Sequence, residues 1–459
     1  MPENRDIRGM RVTVMGLGLH GGGLESARYL AGKGADVTVT DLRGEAVLAP
    51  SMEKLEESGV FPRYVLGRHE EGDFSGADMV IKNPGVPPDS PYLALARRVE
   101  TDISLFLAAN PARLIAVTGS KGKSGTASAI HHALRRAREG ALLPGRAFLG
   151  GNITVSPLGF LDGLRGDDDV VLELSSWQLG DLRGRLNAAG APLLKPRTAV
   201  ITAILPDHLD RYGSMEAYVA DKRIIYRGQD RGDATIAFDD AWGRSFLAET
   251  AARPLPCAEA PLPPDRPGAW LEDGEGMVRL GPGQNALRAS PRELLVPGPA
   301  QRRNILAAAL ALTDLGLPPD FTAESLGRYP GIEHRLEFFY EKAGVKFYND
   351  TAATIPEAAA AAIEAFPGPL VLVTGGADKN LDFSPLVNAA AAAFLAGRLA
   401  PPVLLAGTGS DRLRGAFESA AVPCRGPLDD LDAAVLSALE SARPGSAVLL
   451  SPGCASFGM

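Results

Sequence analysis

The sequence predicts an α/β protein divided into three domains, at residues 1–111, 112–329 and 330–459. Its 459 residues exceed what one hydrophobic core usually serves. Apolar strand-like runs alternate with helical patterns along most of the chain, the signature of mainly parallel sheets covered by helices. Two of those runs break directly into glycine-rich turns, one near residue 16 and one near residue 119.

The first domain opens with RVTVMGLGLHGGGLESARYLAGKGADVTVTDLR from Arg11, which reads as strand, glycine turn, helix and second strand, a βαβ unit. Gly16, Gly18 and Gly21 satisfy G-x-G-x-x-G, and Asp41 lies where a Rossmann-like domain places its ribose-binding acid. Alone, this pattern fits NAD binding equally well. In MVIKNPGVPPDSP, Asn83-Pro84-Gly85-Val86 follows a strand, as a loop at the carboxyl edge of the same sheet would.

The second domain begins with LIAVTGSKGKSGT, residues 114–126, where an apolar strand precedes Gly119, Ser120, Lys121, Gly122, Lys123, Ser124 and Gly125 and then a helix. Backbone N–H groups of such a P-loop, with the helix N-terminus behind it, surround phosphate oxygens. Lys123 would neutralise the β- and γ-phosphates, and Ser124 Oγ would reach Mg²⁺. A glycine turn before an ordinary helix is the plain alternative, and the strand and helix on either side favour a nucleotide. VVLELSSWQL (170–179) and TAVITAILPDHLDRYGS (198–214) each run from an apolar strand into polar residues, where catalytic loops sit. Residues 254–300, rich in Pro, Gly and acids, read as an antiparallel excursion holding the short strands AWLEDG and MVRLG. The third domain alternates VKFYND, LVLVTGG, PVLLAGTG and AVLLSPG with Ala-rich helices, residues 358–362 among them.

A composition of 45% hydrophobic and 22% charged residues is that of a globular protein, and a net charge of −8 argues against nucleic-acid binding. Small molecules are the expected partners. Cys257, Cys424 and Cys454 are too few and too scattered for a disulfide framework or a structural zinc site, which suits a reducing compartment. The opening residues lack the apolar core of a secretory signal, and no run approaches the ~20 apolar residues of a membrane span. A cytoplasmic monomer is expected.

Glu173-Leu174-Ser175-Ser176-Trp177-Gln178-Leu179, Asp207-His208-Leu209-Asp210, Lys222, Asn349-Asp350 and Leu450-Ser451-Pro452-Gly453-Cys454-Ala455-Ser456, taken with the P-loop, resemble the Mur ligases. The resemblance runs from Val12 to Met459 and is weakest over residues 240–295. Within the family, the motifs lie nearest the members that add D-glutamate to UDP-N-acetylmuramoyl-L-alanine in peptidoglycan precursor synthesis. The resemblance implies three parts: a Rossmann-like domain binding the UDP substrate, a central ATP-binding P-loop domain, and a Rossmann-like C-terminal domain binding the amino acid. It implies an ADP-forming amide ligase, in which ATP phosphorylates the alanyl carboxylate and the amine of glutamate attacks the acyl phosphate.

Residue by residue, the resemblance assigns catalysis to Lys123, Glu173, His208 and Lys222, and metal binding to Ser124, Glu173, His208 and Lys222. From the residues alone, Glu173 reads equally as a rim carboxylate, His208 as a capping side chain and Lys222 as a solvated lysine. The family reading makes Lys222 a carbamoylated lysine holding a second metal. Gln301, Asn304, Arg335 and Asp350 match the family's contacts to the nucleotide. Leu19, His20, Asp41, Arg43 and Gly85 fall where the uridine diphosphate is held, Asn152, Ser175 and Gln178 along the muramoyl-alanyl arm, and Thr354, Lys379 and Ser456 beside glutamate.

Several positions depart from the pattern. Ala300 and Gln301 replace His and Asn, Lys121 and Gly125 replace the usual Asn and Thr, and Ala352 stands where the D-glutamate-adding members carry a lysine. The chain also ends at Met459, where the family continues with a further helix, so residues 330–459 read as a shortened C-terminal domain. These departures leave open an L-glutamate-adding homologue or a non-catalytic nucleotide-binding relative, and the first glycine motif leaves open an NAD(P) oxidoreductase.

Overall fold

Val12 and Val14 on one face of the first strand, with Leu24, Ala27 and Leu30 on the helix that follows, are buried almost completely and seed the first core. Each such aliphatic side chain contributes about 1.5–3 kcal/mol on burial. The structure, a computed structural model, describes residues 7–19, 21–153 and 155–455. Around this core, β1 (Arg11–Met15), β2 (Asp36–Asp41), β3 (Arg63–Leu66), β4 (Met79–Lys82) and β5 (Val99–Glu100) form a wholly parallel sheet in the order β3-β2-β1-β4-β5. The order reverses at β1, so the loops after β1 and β4 diverge and open a crevice at the carboxyl edge. Met15 pairs with Lys82, which brings the Gly16–Gly18 turn and the Asn83–Gly85 loop to the same end of the sheet.

The second sheet holds β6 (Arg113–Thr118), β7 (Ala147–Gly151), β8 (Asp169–Glu173), β9 (Thr198–Ile201), β10 (Ala234–Phe238), β11 (Arg253–Ala258), β12 (Gly268–Glu272), β13 (Glu275–Arg279) and β14 (Leu287–Ser290). Their order is β14-β13-β12-β11-β10-β9-β6-β8-β7, which places β6 between β8 and β9. Ile115, Ala116 and Val117 are fully buried, as a central parallel strand requires. The expected antiparallel excursion is only partly met. β11 and β12 extend the sheet in parallel, and the reversal comes at the β12–β13 hairpin. Two prolines disguised β11. Cys257 O accepts from Asp239 N on the β10 side, so Pro254 and Pro256, in the alternate phase, face the other edge, where pairing begins only at Cys257.

The third sheet holds β15 (Glu337–Lys342), β16 (Val345–Asn349), β17 (Leu370–Thr374), β18 (Val403–Leu405), β19 (Arg425–Leu428) and β20 (Ala447–Leu450), in the order β15-β16-β20-β17-β18-β19. The four expected strands are present. The Ala-rich stretch is helix Pro356–Ala365, and its buried Ala359, Ala360 and Ala362 share a core with Ala389, Ala390 and Ala393 of helix Ser384–Leu395. β15 is an addition, an exposed edge strand turned back on β16 through Ala343 and Gly344 at positive φ.

The chain forms two compact units, Met1–Ala289 with Leu306–Thr322, and Ser290–Ile305 with Ala323–Met459. Among the described residues, no helix is long and apolar enough to cross a membrane.

The glycine that lets the first helix approach the turn after β1 lies outside the G-x-G-x-x-G spacing. A Cβ at Gly23 would overlap the carbonyl oxygens of Gly16 and Leu17, which are backbone and cannot swing aside. Gly23→Ala is expected to cost about 2–3 kcal/mol of stability, read by urea unfolding; an unchanged midpoint would mean that the helix re-seats without strain.

Candidate active site

The second glycine turn follows β6 and feeds helix Lys123–Glu139. Gly119 has φ +147°, and a Cβ there would overlap Thr202 Oγ1; Gly122, at φ +93°, is the residue from which the helix starts. Thr202 Oγ1 donates to Lys121 O at 2.6 Å, and Ser120 Oγ is held by Leu205 O and N at 2.9 and 3.0 Å and by Tyr218 Oη at 2.9 Å. The turn is therefore fixed, with Ser124 and Gly125 in the first helical turn behind it.

Two ammonium groups converge on this turn. Lys123 Nζ donates to Gly119 O and Ser120 O, each at 3.1 Å, and Lys222 Nζ donates to Gly119 O at 2.8 Å. Lys222, which the sequence alone reads as solvated, is 2% exposed, with its ammonium 4.5 Å from the centre of the Tyr218 ring. Burial, reinforced by Lys123, brings its pKa down to about 7.

Glu173 ends β8 and is 1% exposed. Its Oε1 accepts from Asn152 Nδ2 at 2.9 Å, while its Oε2 is buried without a hydrogen-bond donor. Its neighbours Ser175 and Gln178 form a capping box on helix Ser176–Asp181: Ser175 Oγ accepts from Gln178 N at 3.2 Å, and Gln178 Oε1 from Ser175 N at 3.0 Å. His208 sits at φ +53°, its ring 5.1 Å from that of Trp177, whose face Arg211 covers at 4.2 Å.

Lys123, Lys222, Asn152, Ser175, Gln178 and His208 line one cleft of about 610 Å³ that also takes in Gly18, Leu19, Arg43, Asn83 and Gly85 from the carboxyl edge of the first sheet, with Glu173 bonded to the lining through Asn152. Arg43 is aimed by Asp41, whose Oδ1 accepts from Arg43 N and Nε at 3.0 Å and whose Oδ2 accepts from Arg43 Nη2 at 2.9 Å and Gly18 N at 3.3 Å. Burial opposes ionisation of Asp41, but the hydrogen bonds from Arg43 and Gly18 outweigh it and hold the carboxyl below its usual range. Sequence reasoning assigned no role to Trp177, Asp102, Ser156 or Tyr218, which also line the cleft. Trp177 and Tyr218 lie inside or beside recognised motifs, whereas Asp102 and Ser156, joined at 2.9 Å, carry no local signal. A second cavity of about 570 Å³ has arginines in its lining, but Arg183, Arg185 and Arg223 are already paired with Asp221, Glu100 and Glu249.

In the second compact unit, Gln301 Nε2 is buried without a partner, and Gln301 Oε1 accepts from Asn304 Nδ2 at 3.4 Å. Asp350 is buried, with Oδ1 accepting from Leu336 N at 3.0 Å and Oδ2 from Ser451 Oγ at 2.7 Å; burial pushes its carboxyl up despite these bonds. Arg335 and Lys379 are exposed and Thr354 is half-buried. His20 and Ser456 lie outside the described residues.

Three family models match in series: the N-terminal domain of Mur ligases of the MurD-like type over residues 10–104, the Mur ligase middle domain over 117–260, and the Mur ligase glutamate ligase domain over 334–454. The chain belongs to the Mur ligase family. Among the curated relatives of this Mur ligase are the UDP-N-acetylmuramoylalanine--D-glutamate ligases of Treponema pallidum, 40% identical over 98% of this chain and 94% of that one, and of Roseiflexus, 40% identical over 99% and 96%. Solved structures with the same fold include the UDP-N-acetylmuramate-alanine ligase MurC of Thermotoga maritima, at a TM-score of 0.55 and 19% identity over 97% of this chain and 96% of that one. MurF of Acinetobacter baumannii also scores 0.55, with 17% identity over 97% and 91%.

The donor set of this Mur ligase fits a hard divalent cation. Glu173 Oε2 is a buried anionic oxygen with no donor, and the described residues hold no group of three or more His, Cys, Asp or Glu that would form a protein-only cage. Such a site suits an ion completed by phosphate oxygens.

Because Asp41 titrates in the folded state below its unfolded value, its pair with Arg43 adds stability above about pH 4 and loses it as the pH falls through the folded-state value. Arg43 is 44% exposed, so the gain is screened to less than about 1 kcal/mol. Asp41→Asn should be less stable than the parent at pH 7 by that amount, and the gap in urea unfolding should close below about pH 4.

Proposed function

We infer that this Mur ligase joins D-glutamate to UDP-N-acetylmuramoyl-L-alanine in peptidoglycan precursor synthesis, with ATP converted to ADP and phosphate. The observation that carries the reaction is the name shared by relatives up to 40% identical across almost the whole chain, which also favours D- over L-glutamate. The cleft suits the same chemistry, because its lining joins the P-loop lysine Lys123, Asn152 with Glu173 bonded behind it, and the glycine turn of the first sheet.

A carboxylate oxygen of the alanyl group attacks the γ-phosphorus of ATP and ADP leaves. The amine nitrogen of glutamate then attacks the acyl carbon, phosphate leaves and the nitrogen gives up a proton. Both reacting carboxylate and phosphate are anionic, so their approach needs positive charge, and the ammonium of Lys123 at the P-loop supplies it. Lys121, Ser124, Gly125 and the N–H groups of the turn receive the phosphates. Ser124 and Glu173 would hold Mg²⁺, with His208 and a carbamoylated Lys222 holding a second ion; bound there, the metals offset the charge on the transferring group. Lys222 suits the modification by position, since it is an enclosed amine whose hydrogen bond goes to a carbonyl and whose neighbour is a second ammonium.

Arg43, Leu19, His20 and Gly85 are proposed to hold the uridine diphosphate, with Asp41 acting through Arg43. Asn152, Ser175 and Gln178 face the muramoyl-alanyl arm. In the second unit, the unpartnered Nε2 of Gln301 suits an acceptor such as adenine; from the family resemblance, Asn304, Arg335 and Asp350 are proposed to contact nucleotide, and Thr354, Lys379 and Ser456 glutamate.

ADP release measured with UDP-N-acetylmuramoyl-L-alanine, ATP and Mg²⁺ should rise with D-glutamate and stay at background with L-glutamate or no amino acid. Stimulation by the L enantiomer, or by neither, would overturn the assignment. Lys123→Ala and Glu173→Gln should each lower kcat by more than about 100-fold, while Arg43→Ala should raise the KM for the UDP substrate about tenfold with little change for ATP. Carbon-13 NMR of protein equilibrated with labelled bicarbonate should show a carbamate resonance that Lys222→Ala removes; its absence from the parent would overturn the metal-ligand role of Lys222.

A further inference from the structure

We propose that the ion pair between Lys82 and Asp181 is a positioning clasp that fixes the separation of two cleft walls and thereby the fit of the UDP-linked substrate. The proposal rests on the reading of the cleft given above. Lys82 is the last residue of β4, and Asn83-Pro84-Gly85, which follow it, line the cleft. Asp181 is the last residue of helix Ser176–Asp181, whose start, with Ser175, Trp177 and Gln178, forms another part of the lining. Lys82 Nζ donates to Asp181 Oδ2 at 2.7 Å across 99 residues of chain, with the two side chains only 3% and 10% exposed.

Arg185 braces the same junction. Its Nε donates to Asp181 O at 2.7 Å, its Nη1 to Glu100 Oε2 at 2.5 Å and its Nη2 to Val99 O at 2.8 Å. The last two strands of the first sheet, β4 and β5, are thus each tied to the end of one short helix of the second.

Stability alone does not account for this pair. Burial disfavours the charged form of both partners, moving the Lys82 ammonium down and the Asp181 carboxyl up, with each opposed by the other's charge. An apolar pair of similar volume at such a place is commonly as stable or more so. What an ion pair adds is one distance and one direction, and those are what hold two loops in register across a cleft. Neither side chain lines the cleft, so the role is positioning.

The test is steady-state kinetics and melting of the Lys82→Met/Asp181→Leu double variant. The expected result is a Tm within about 4 °C of the parent, a KM for UDP-N-acetylmuramoyl-L-alanine raised about tenfold, and a KM for ATP and a kcat within about twofold of the parent. Lys82→Gln/Asp181→Asn, which keeps a directional hydrogen bond without charge, should restore the KM to near the parent value. A well-folded apolar variant with the parent KM would overturn the proposal. If the double variant does not fold, Lys82→Met alone decides between the same two values, since Asp181 then still faces Arg185 and Arg211. Arg43→Ala separates this inference from the reading of the cleft. A raised KM for Arg43→Ala with none for the clasp variants removes the clasp only, and a parent KM in both removes the site assignment.

Discussion

The turn after β6 is wedged against Thr202 so closely that residue 119 has no room for a side chain, and the rest of the site is arranged around that wedge. With the turn pinned there, and Ser120 anchored on Leu205 and Tyr218, the carbonyl of Gly119 becomes a fixed acceptor on which Lys123 and Lys222 both converge. Helix Lys123–Glu139 then starts from Gly122, directly after that turn. Because β6 lies between β8 and β9, the ends of both neighbours arrive beside it, one carrying Glu173 and the other leading to His208.

Electrostatically, the cleft differs from an ordinary core. Two ammonium groups lie near each other under partial or full burial, and a carboxylate oxygen beside them has no donor. An enclosed like-charge pair and an unsatisfied acceptor are costly in an ordinary core. Here they stand at a cleft that is open to ligands of complementary charge.

Much of this was legible in sequence because it is local. The strand–glycine–helix pattern at residues 114–126, the loop at Asn83–Gly85 and the alternating strands of the third sheet depend on neighbours within a few residues, and the structure has them where the patterns lie. β15, β19 and the parallel run of β11 were not legible. β15 lacks an apolar/polar alternation and is exposed, whereas a four-residue strand with Gly and Pro and a strand with two prolines contradict the usual strand signal and are made strands by pairing with distant partners.

By itself, the sequence determined the class of chemistry: the residue types for a phosphate cradle, a carboxylate, an imidazole and a lysine at spacings that resemble one ligase family. Tertiary structure decided what each group is free to do. Lys222 is enclosed because a helix packs it beneath the P-loop, and Asp41 is spent on Arg43 and Gly18. Ser175 and Gln178 cap a helix, and Gly23, outside the glycine motif, is where the first helix meets the turn after β1. Burial and hydrogen-bond partners are set by residues tens of positions away, so no spacing rule in the chain records them.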